Sequence, residues 1–482
     1  MEMNEGKLKV YSVPREAVGN SDFTARVRLA NGEWKDLFTY EVRVDMHDVR
    51  SSSMAAFDFE GAVEVEIVSH RAVPERVEIR PNSSGIVPEV EGRRIWFKLD
   101  KPSKLSIEVN GERFHNLHLF AGEVETDAPQ PESPGVVVVQ PGTHSANGLI
   151  GKLKASSEGA EPPSILYFAE GFHCIEDGLL PIPSDTTVYI AGGAIVVGSM
   201  LCRQVENVVI RGRGMIYLRD IEKTTYWRSV QIDHSKQIEV EGIISVDPPH
   251  YSIHLGQSER VKIRNFKSFS TRGWCDGIDM MSCTDIDIDD VFLRTSDDCI
   301  AIYGSRGAFK GDTRSIRVRN SILWADVAHP INIGCHGDHE LEGDVIADIQ
   351  FDQIDILEHH EPQDGYWGCM SINVGDRNTV RNVSFRNVRV EPFELGRPID
   401  IRVLQNEKYN PCPGNAVRNI TFENISFDGE CDHPSVIGGY DERRTVEGVT
   451  FRNLRMNGRL ILSPEEGNFA VGPHAHRIVF EA

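Results

Sequence analysis

Through the last two thirds of the chain one short apolar pattern keeps returning. A small or polar residue precedes two Val, Ile or Phe residues set two positions apart, and an Asn, Asp or Gly often follows. The pairs fall at Val188/Ile190, Val208/Ile210, Ile238/Val240, Val261/Ile263, Ile286/Ile288, Ile316/Val318, Ile349/Phe351, Val383/Phe385, Ile420/Phe422, Val449/Phe451 and Ile478/Phe480. Period two belongs to strands, whose successive side chains point to opposite faces. No 3.6-residue period accompanies it. The pairs return every 20 to 37 residues, which predicts a parallel β-solenoid whose coils share a core and differ in their loops. A propeller would need antiparallel blades at regular spacing.

Residues 1–122 follow another pattern. Short strands are predicted at 23–29, 38–44, 63–68 and 105–109, and Asn31-Gly32 and Asn110-Gly111 are hairpin-turn signals. An antiparallel β-sandwich fits, placed to cap the solenoid's end or to extend one wall of a cleft. Residues 123–135, EVETDAPQPESPG, read as a linker. The solenoid occupies 136–482. The fold class expected is therefore all-β, a parallel β-helix preceded by a sandwich domain.

Charge narrows the partners. The 482 residues carry a net charge of −22, which argues against nucleic acid and anionic membranes. The start, MEMNEGKLKV, has no apolar leader core, and no run reaches the roughly 18 to 20 apolar residues of a membrane span. Nine cysteines lie without metal or redox spacing, as free thiols do in a reducing compartment. A cytoplasmic protein is expected, although a secreted one trimmed of its leader would look the same. No phosphate loop is visible, and no cofactor or metal is expected. An oligomer is compatible with all of this.

The chemistry concentrates in residues 273–303, GWCDGIDMMSCTDIDIDDVFLRTSDDCIAIY. Asp276 precedes the pair Asp297-Asp298 by twenty-one residues. Placed at matching positions on adjacent coils, Asp276 and Asp297 would lie about 4.8 Å apart in backbone. Crowded carboxyls push at least one pKa upward, as a general acid near neutrality requires. Strict alternation from Ile278/Met280 and Ile300/Ile302 would send Asp276 and Asp298 into the core. An unpaired buried carboxylate is costly, so the chain must bend at both places or the acids must be paired. Asp285, Asp287, Asp289 and Asp290 read as an outward row of turn residues. His329 and His336 follow within about one coil, and His250 and His254 precede. Trp227, Tyr251, Trp274, Tyr303 and Trp367 could stack on sugar rings, Trp274 foremost because it lies two residues from Asp276. None of the histidines around these aspartates, His250, His254, His329 and His336, shows HxH or HExxH spacing.

The run CDGID…TSDDCIAI resembles the NTDGID…DDCIAI signature of the glycoside hydrolase family that contains the polygalacturonases, and AHPINIGCHG resembles its GHG(x)SIGS segment. The resemblance covers about residues 185–400. It implies a right-handed parallel β-helix and inverting hydrolysis of a carbohydrate, with Asp297 as general acid, Asp276 and Asp298 activating water, and His329 supporting the acid. Trp274, His254, Tyr303, His336 and Asn373 are the expected substrate contacts. Inversion usually sets the acid and base carboxyls about 6.5–9.5 Å apart. The sandwich-plus-helix layout is also similar to the dextranase and isopullulanase family.

Departures from the pattern bear on substrate. Asn-Thr before the first aspartate is Trp274-Cys275, the glycines around the histidine are Ala328 and Pro330, and the lysine that often follows DDCIAI is Tyr303. The family's Arg-Ile-Lys element, which grips the galacturonate carboxylate, is replaced by Ser371 and Asn373. Losing those cations removes charge-assisted carboxylate binding, so a neutral sugar is expected over a uronic acid unless Arg306, Arg397 or Arg402 substitutes. A galacturonide hydrolase, a lyase, and an inactive carbohydrate-binding β-helix are the competing readings.

Overall fold

The apolar pairs of the repeat lie on one another in register. Val208 pairs with Ile238, and the stack continues through Val261, Ile286, Ile316, Ile349, Val383, Ile420 and Val449 to Ile478. The first pair is offset by two residues, with Val188 opposite Ile210. In the C-terminal coils the second position is a ladder of stacked rings, Phe351, Phe385, Phe422, Phe451 and Phe480, with centroids 4.6–5.1 Å apart. Asparagines at the corners adopt left-handed conformations, such as Asn387, Asn424 and Asn453. Asn424 and Asn453 each donate a side-chain hydrogen bond to the asparagine one coil below, at 3.0 and 2.9 Å. This gives the recurrent polar residue of the repeat its physical role.

The computed structural model describes residues 6–154, 164–431 and 433–482. Residues 1–5, part of the stretch read for a leader, lie outside them. Among the described residues, thirty strands from Val136–Val139 to Ala475–Glu481 form the solenoid, in parallel except where Val446–Met456 turns back on Arg459–Leu460. One helix, Ala146–Lys154, was not expected. Ser145 caps it, its Oγ accepting the Gly148 N–H at 3.1 Å. Ala146, Leu149 and Leu153 bury its inner face in the solenoid core near the N-terminal coils. None of the nine cysteines forms a disulfide, and among the described residues no helix is long and apolar enough to cross a membrane.

The N-terminal part is two facing sheets. One contains Arg50–Glu60, Glu112–Glu123, Ser103–Val109 and Val77–Arg80. The other contains Phe23–Leu29, Val63–Ser69 and Arg94–Leu99. Phe23, Phe57, Val65, Phe97 and Ile107 form a core of their own between them. Asn110 and Gly111 take φ of 57° and 78°, the turn their sequence predicts. The sandwich does not cap the solenoid's end. Val42, Val44, Met54 and Phe120 pack on Ile195, Met215, Ile244, Val246, Phe269 and Phe292, so it lies along one flank. The acidic segment at 123–135 is pinned to the solenoid surface, Asp127 bonding Arg211 and Glu125 accepting from Tyr189.

Candidate active site

Backbone hydrogen bonds bring the predicted residues together. Ser252 N–H donates to Asp276 O, Gly277 N–H to Asp298 O and Cys299 N–H to His329 O, each at 2.8 Å. Tyr251, Asp276, Asp298 and His329 thus head successive coils. The strands begin only at Ile278 and Ile300, so both aspartates sit in bends and escape the core-facing direction that strict alternation would impose. The register differs from expectation in one respect: the residue opposite Asp276 is Asp298, and Asp297 lies one position earlier. Trp274, at φ 59°, turns its backbone N–H onto Asp297 Oδ2 at 3.1 Å, and the Asp298 N–H meets Asp297 Oδ1 at 3.1 Å.

The three carboxylates converge closely. One oxygen from each of Asp276, Asp297 and Asp298 lies within 4.8 Å of the others. They approach because two of the acids are adjacent in sequence and the third sits one strand spacing away.

Their environments push their protonation apart. Burial and the neighbouring Asp298 charge raise Asp297 to about 7. Asp298 moves the other way. Burial alone would raise it, but the charge of His329 and the donors around it outweigh burial and hold it below the usual carboxylate range. Oδ1 takes the His329 Nδ1–H at 2.7 Å and the His329 N–H at 3.0 Å. Oδ2 takes Asn332 Nδ2 at 2.7 Å and the Tyr303 hydroxyl at 3.3 Å. Burial would likewise discharge His329, yet Asp298 and then Glu361 raise it to about 9. Asp276 is held well above its ordinary value by burial and by Asp279, Asp297 and Asp298.

The five expected substrate contacts are placed differently from one another. Trp274 is 59% exposed and stands beside Asp297. Tyr303 is buried, its hydroxyl spent on Asp298. His336 packs edge-on against that ring at 5.0 Å, and burial lowers it to about 3. His254 is buried between Tyr251 and Asp233. Asn373 is buried against Ser371.

Several residues were missed. Asp279 is fully buried, and its charge is among the causes that hold Asp276 above its ordinary value. Its own pKa rises to about 8, chiefly through burial. Its outward position between Ile278 and Met280 was a readable signal. Asn332 carries the same signal between Ile331 and Ile333. Glu361 and Tyr366 come from an insertion between coils, where no repeat guides the eye. The Tyr366 carbonyl accepts from His329 Nε2 at 2.8 Å, and Glu361 lies 3.8 Å from it.

Among the described residues the three aspartates are the group placed to hold a cation, and carboxylates suit a hard one. Asp298, however, already has both oxygens engaged by protein donors, which makes them poor ligands.

A parallel β-helix that heads successive coils with clustered carboxyls and a histidine is the arrangement of the class of β-helix glycoside hydrolases. Within that class the chain belongs to Glycosyl hydrolases family 28, whose profile matches residues 219–459. A polygalacturonase of Juniperus ashei is 24% identical over 45% of this chain and 43% of its own. An exopolygalacturonase of Arabidopsis thaliana is 23% identical over 51% and 59%. The chain thus spans about half the length of the curated relatives it matches. Among solved structures, Dex49A from Penicillium minioluteum shares the fold over 98% of this chain and 96% of its own, with a TM-score of 0.65 and 14% identity. That likeness of fold includes the sandwich.

Proposed function

We propose that the protein hydrolyses an O-glycosidic bond with inversion, acting on a neutral oligo- or polysaccharide. The observation that carries the hydrolase reading is the convergence of Asp276, Asp297 and Asp298 within 4.8 Å, with Asp298 held by His329 Nδ1–H and Asn332 at 2.7 Å each; the split in protonation, Asp297 raised to about 7 and Asp298 lowered, agrees with it. Asp297 gives its proton to the departing glycosidic oxygen. Water attacks the anomeric carbon and loses a proton to Asp298. Asp276, protonated through burial and Asp279, holds that water by donating a hydrogen bond. His329 and Asn332 fix Asp298 as acceptor, and the exposed Trp274 ring offers a face to a sugar.

Oxygens of the three carboxyls that approach within 4.8 Å make retention, which uses carboxyl groups about 5–5.5 Å apart, the second reading. Retention needs a free carboxylate nucleophile. Asp298 has both oxygens committed and Asp276 is held protonated, so neither serves well, whereas a base need only accept one proton.

Charge supports the neutral substrate. On the resemblance read from the sequence, Ser371 and Asn373 take the places of the family's cations. Arg402 is bound to Asp400 at 2.6 Å, and Arg397 lies 3.7 Å from the same carboxylate. Arg306 remains, 36% exposed at its side chain, but it faces Asp279 at 3.7 Å. Of the acids around it, Asp298 is held ionised and would oppose a uronate, although its charge already faces His329 at 2.7 Å. The partly open Arg306, and the polygalacturonases among the relatives, favour a galacturonide as the other substrate.

Asp297→Asn is expected to lower kcat by at least about 10²-fold, the scale of a lost general acid, with the circular dichroism spectrum and Tm kept. Near-parent turnover would remove Asp297 from the acid's role.

A further inference from the structure

Two approaches to the site are tied together beneath it. Arg294 lies three residues before Asp297, and Asp326 three residues before His329. They form a fully buried fork, Arg294 Nε and Nη2 meeting Asp326 at 2.9 and 3.0 Å. The Trp324 indole N–H adds a bond to Asp326 at 2.8 Å. From Arg294 the chain runs through Thr295, whose hydroxyl holds the Asp297 carbonyl at 2.6 Å and whose carbonyl takes the Asp326 N–H at 2.9 Å.

The remaining partners of this pair belong to the sandwich. Arg294 Nη1 donates to Asn116 Oδ1 at 3.0 Å and to His118 Nε2 at 2.9 Å. Burial beside Arg294 keeps His118 neutral, so that nitrogen can accept. The Asp45 N–H, on the turn after Tyr40–Val44, reaches Asp326 Oδ2 at 3.3 Å. A second grip lies next to it. Arg80 bonds Glu391 at 2.6 Å and the Leu357 carbonyl, and Arg113 bonds Glu358 at 2.5 Å. Leu357 and Glu358 lead directly into the segment that places Glu361 and Tyr366 against His329.

We propose that the N-terminal sandwich is a working part of the active site: by clamping Arg294, Asp326 and the 357–358 segment it sets the bends that present Asp297, His329 and Glu361. Asn116, His118, Arg294 and Asp326 are positioning residues. A buried donor fork left without its acceptors relaxes the chain around it, and an ångström of misplacement at a reacting group costs on the order of 10²-fold. The proposal rests on the acid assignment of Asp297 given above.

The test compares Asn116→Ala, and its combination with His118→Phe, against Val65→Ala, which weakens the sandwich core without touching the clamp. Hydrogen–deuterium exchange is read on peptides covering 295–300 and 326–331, and turnover on whichever oligosaccharide the parent cleaves. Clamp variants are expected to raise exchange there about tenfold or more, as local opening becomes easier, and to cut kcat with KM near the parent's. Val65→Ala should change neither. Parent-like exchange and kcat in both clamp variants would overturn the proposal, as would equal effects from Val65→Ala. If Asp297→Asn keeps its activity while clamp exchange rises, the acid assignment fails and the clamp stands.

Discussion

The His329–Asp298 contact sets the pH behaviour of the site. As the proposed acid, Asp297 must be protonated to act, so kcat/KM is expected to fall as pH rises through about 7. Asp298 must be ionised, and its lowered pKa keeps it so below the usual carboxylate range. His329, raised to about 9, stays charged across that window, and its contribution to folded stability is lost as pH rises through that value. His329→Gln removes the cation, so the acidic limb of the profile should move up by about one unit or more. An unmoved limb would mean that Asp298 is not the base. Trp274→Ala should raise KM and leave kcat largely intact; an unchanged KM would return the ring to a packing role. Asp276, Asp297, Asp298 and His329 were legible as a cluster because the repeat fixes where coils begin, but His329, expected to support Asp297, bonds Asp298 instead. Glu361 and Tyr366 were not legible, since an insertion obeys no repeat and its contacts depend on the folded loop.

At the scale of elements, the solenoid was readable because every coil obeys the same local rule. An apolar pair faces in, and a corner residue tolerates positive φ. The rule has energetic content in the phenylalanine ladder. Phe422, fully buried, stacks on Phe385 at 4.7 Å and Phe451 at 4.9 Å. Phe422→Ala should cost about 3–5 kcal/mol in denaturant unfolding, and a loss below about 1 kcal/mol would show that neighbouring coils collapse into the space. The helix Ala146–Lys154 escaped notice because Gly148 and Gly151 weaken its helical signal. Its Ser145 cap and the buried Leu149/Leu153 pair are clear only once the solenoid's end is in place.

At the scale of the molecule, the position of the sandwich could not be read from sequence. Val42, Val44, Met54 and Phe120 look like ordinary strand residues, and only the fold shows that they face the solenoid rather than the sandwich's own core. The same holds for the buried charges at the seam. Arg294, Asp326, Arg80 and Glu391 lie far apart in sequence, and nothing local announces that they will pair. The net charge of −22 was read as a property of the surface. The structure shows carboxyls concentrated at the site as well, where Asp276, Asp279, Asp297, Asp298 and Glu361 lie with His329 and Arg306.

The most direct measurement is a product screen by anomer-resolved NMR, using neutral α- and β-linked oligosaccharides beside oligogalacturonides, with and without a chelator. The expected result is a neutral sugar released with inverted configuration, at a rate the chelator leaves unchanged. A product of retained configuration would contradict the roles given to Asp298 and Asp276. Inverted galacturonate would keep the mechanism and assign Arg306 to the substrate carboxylate. An unsaturated product lost on chelation would replace hydrolysis with elimination.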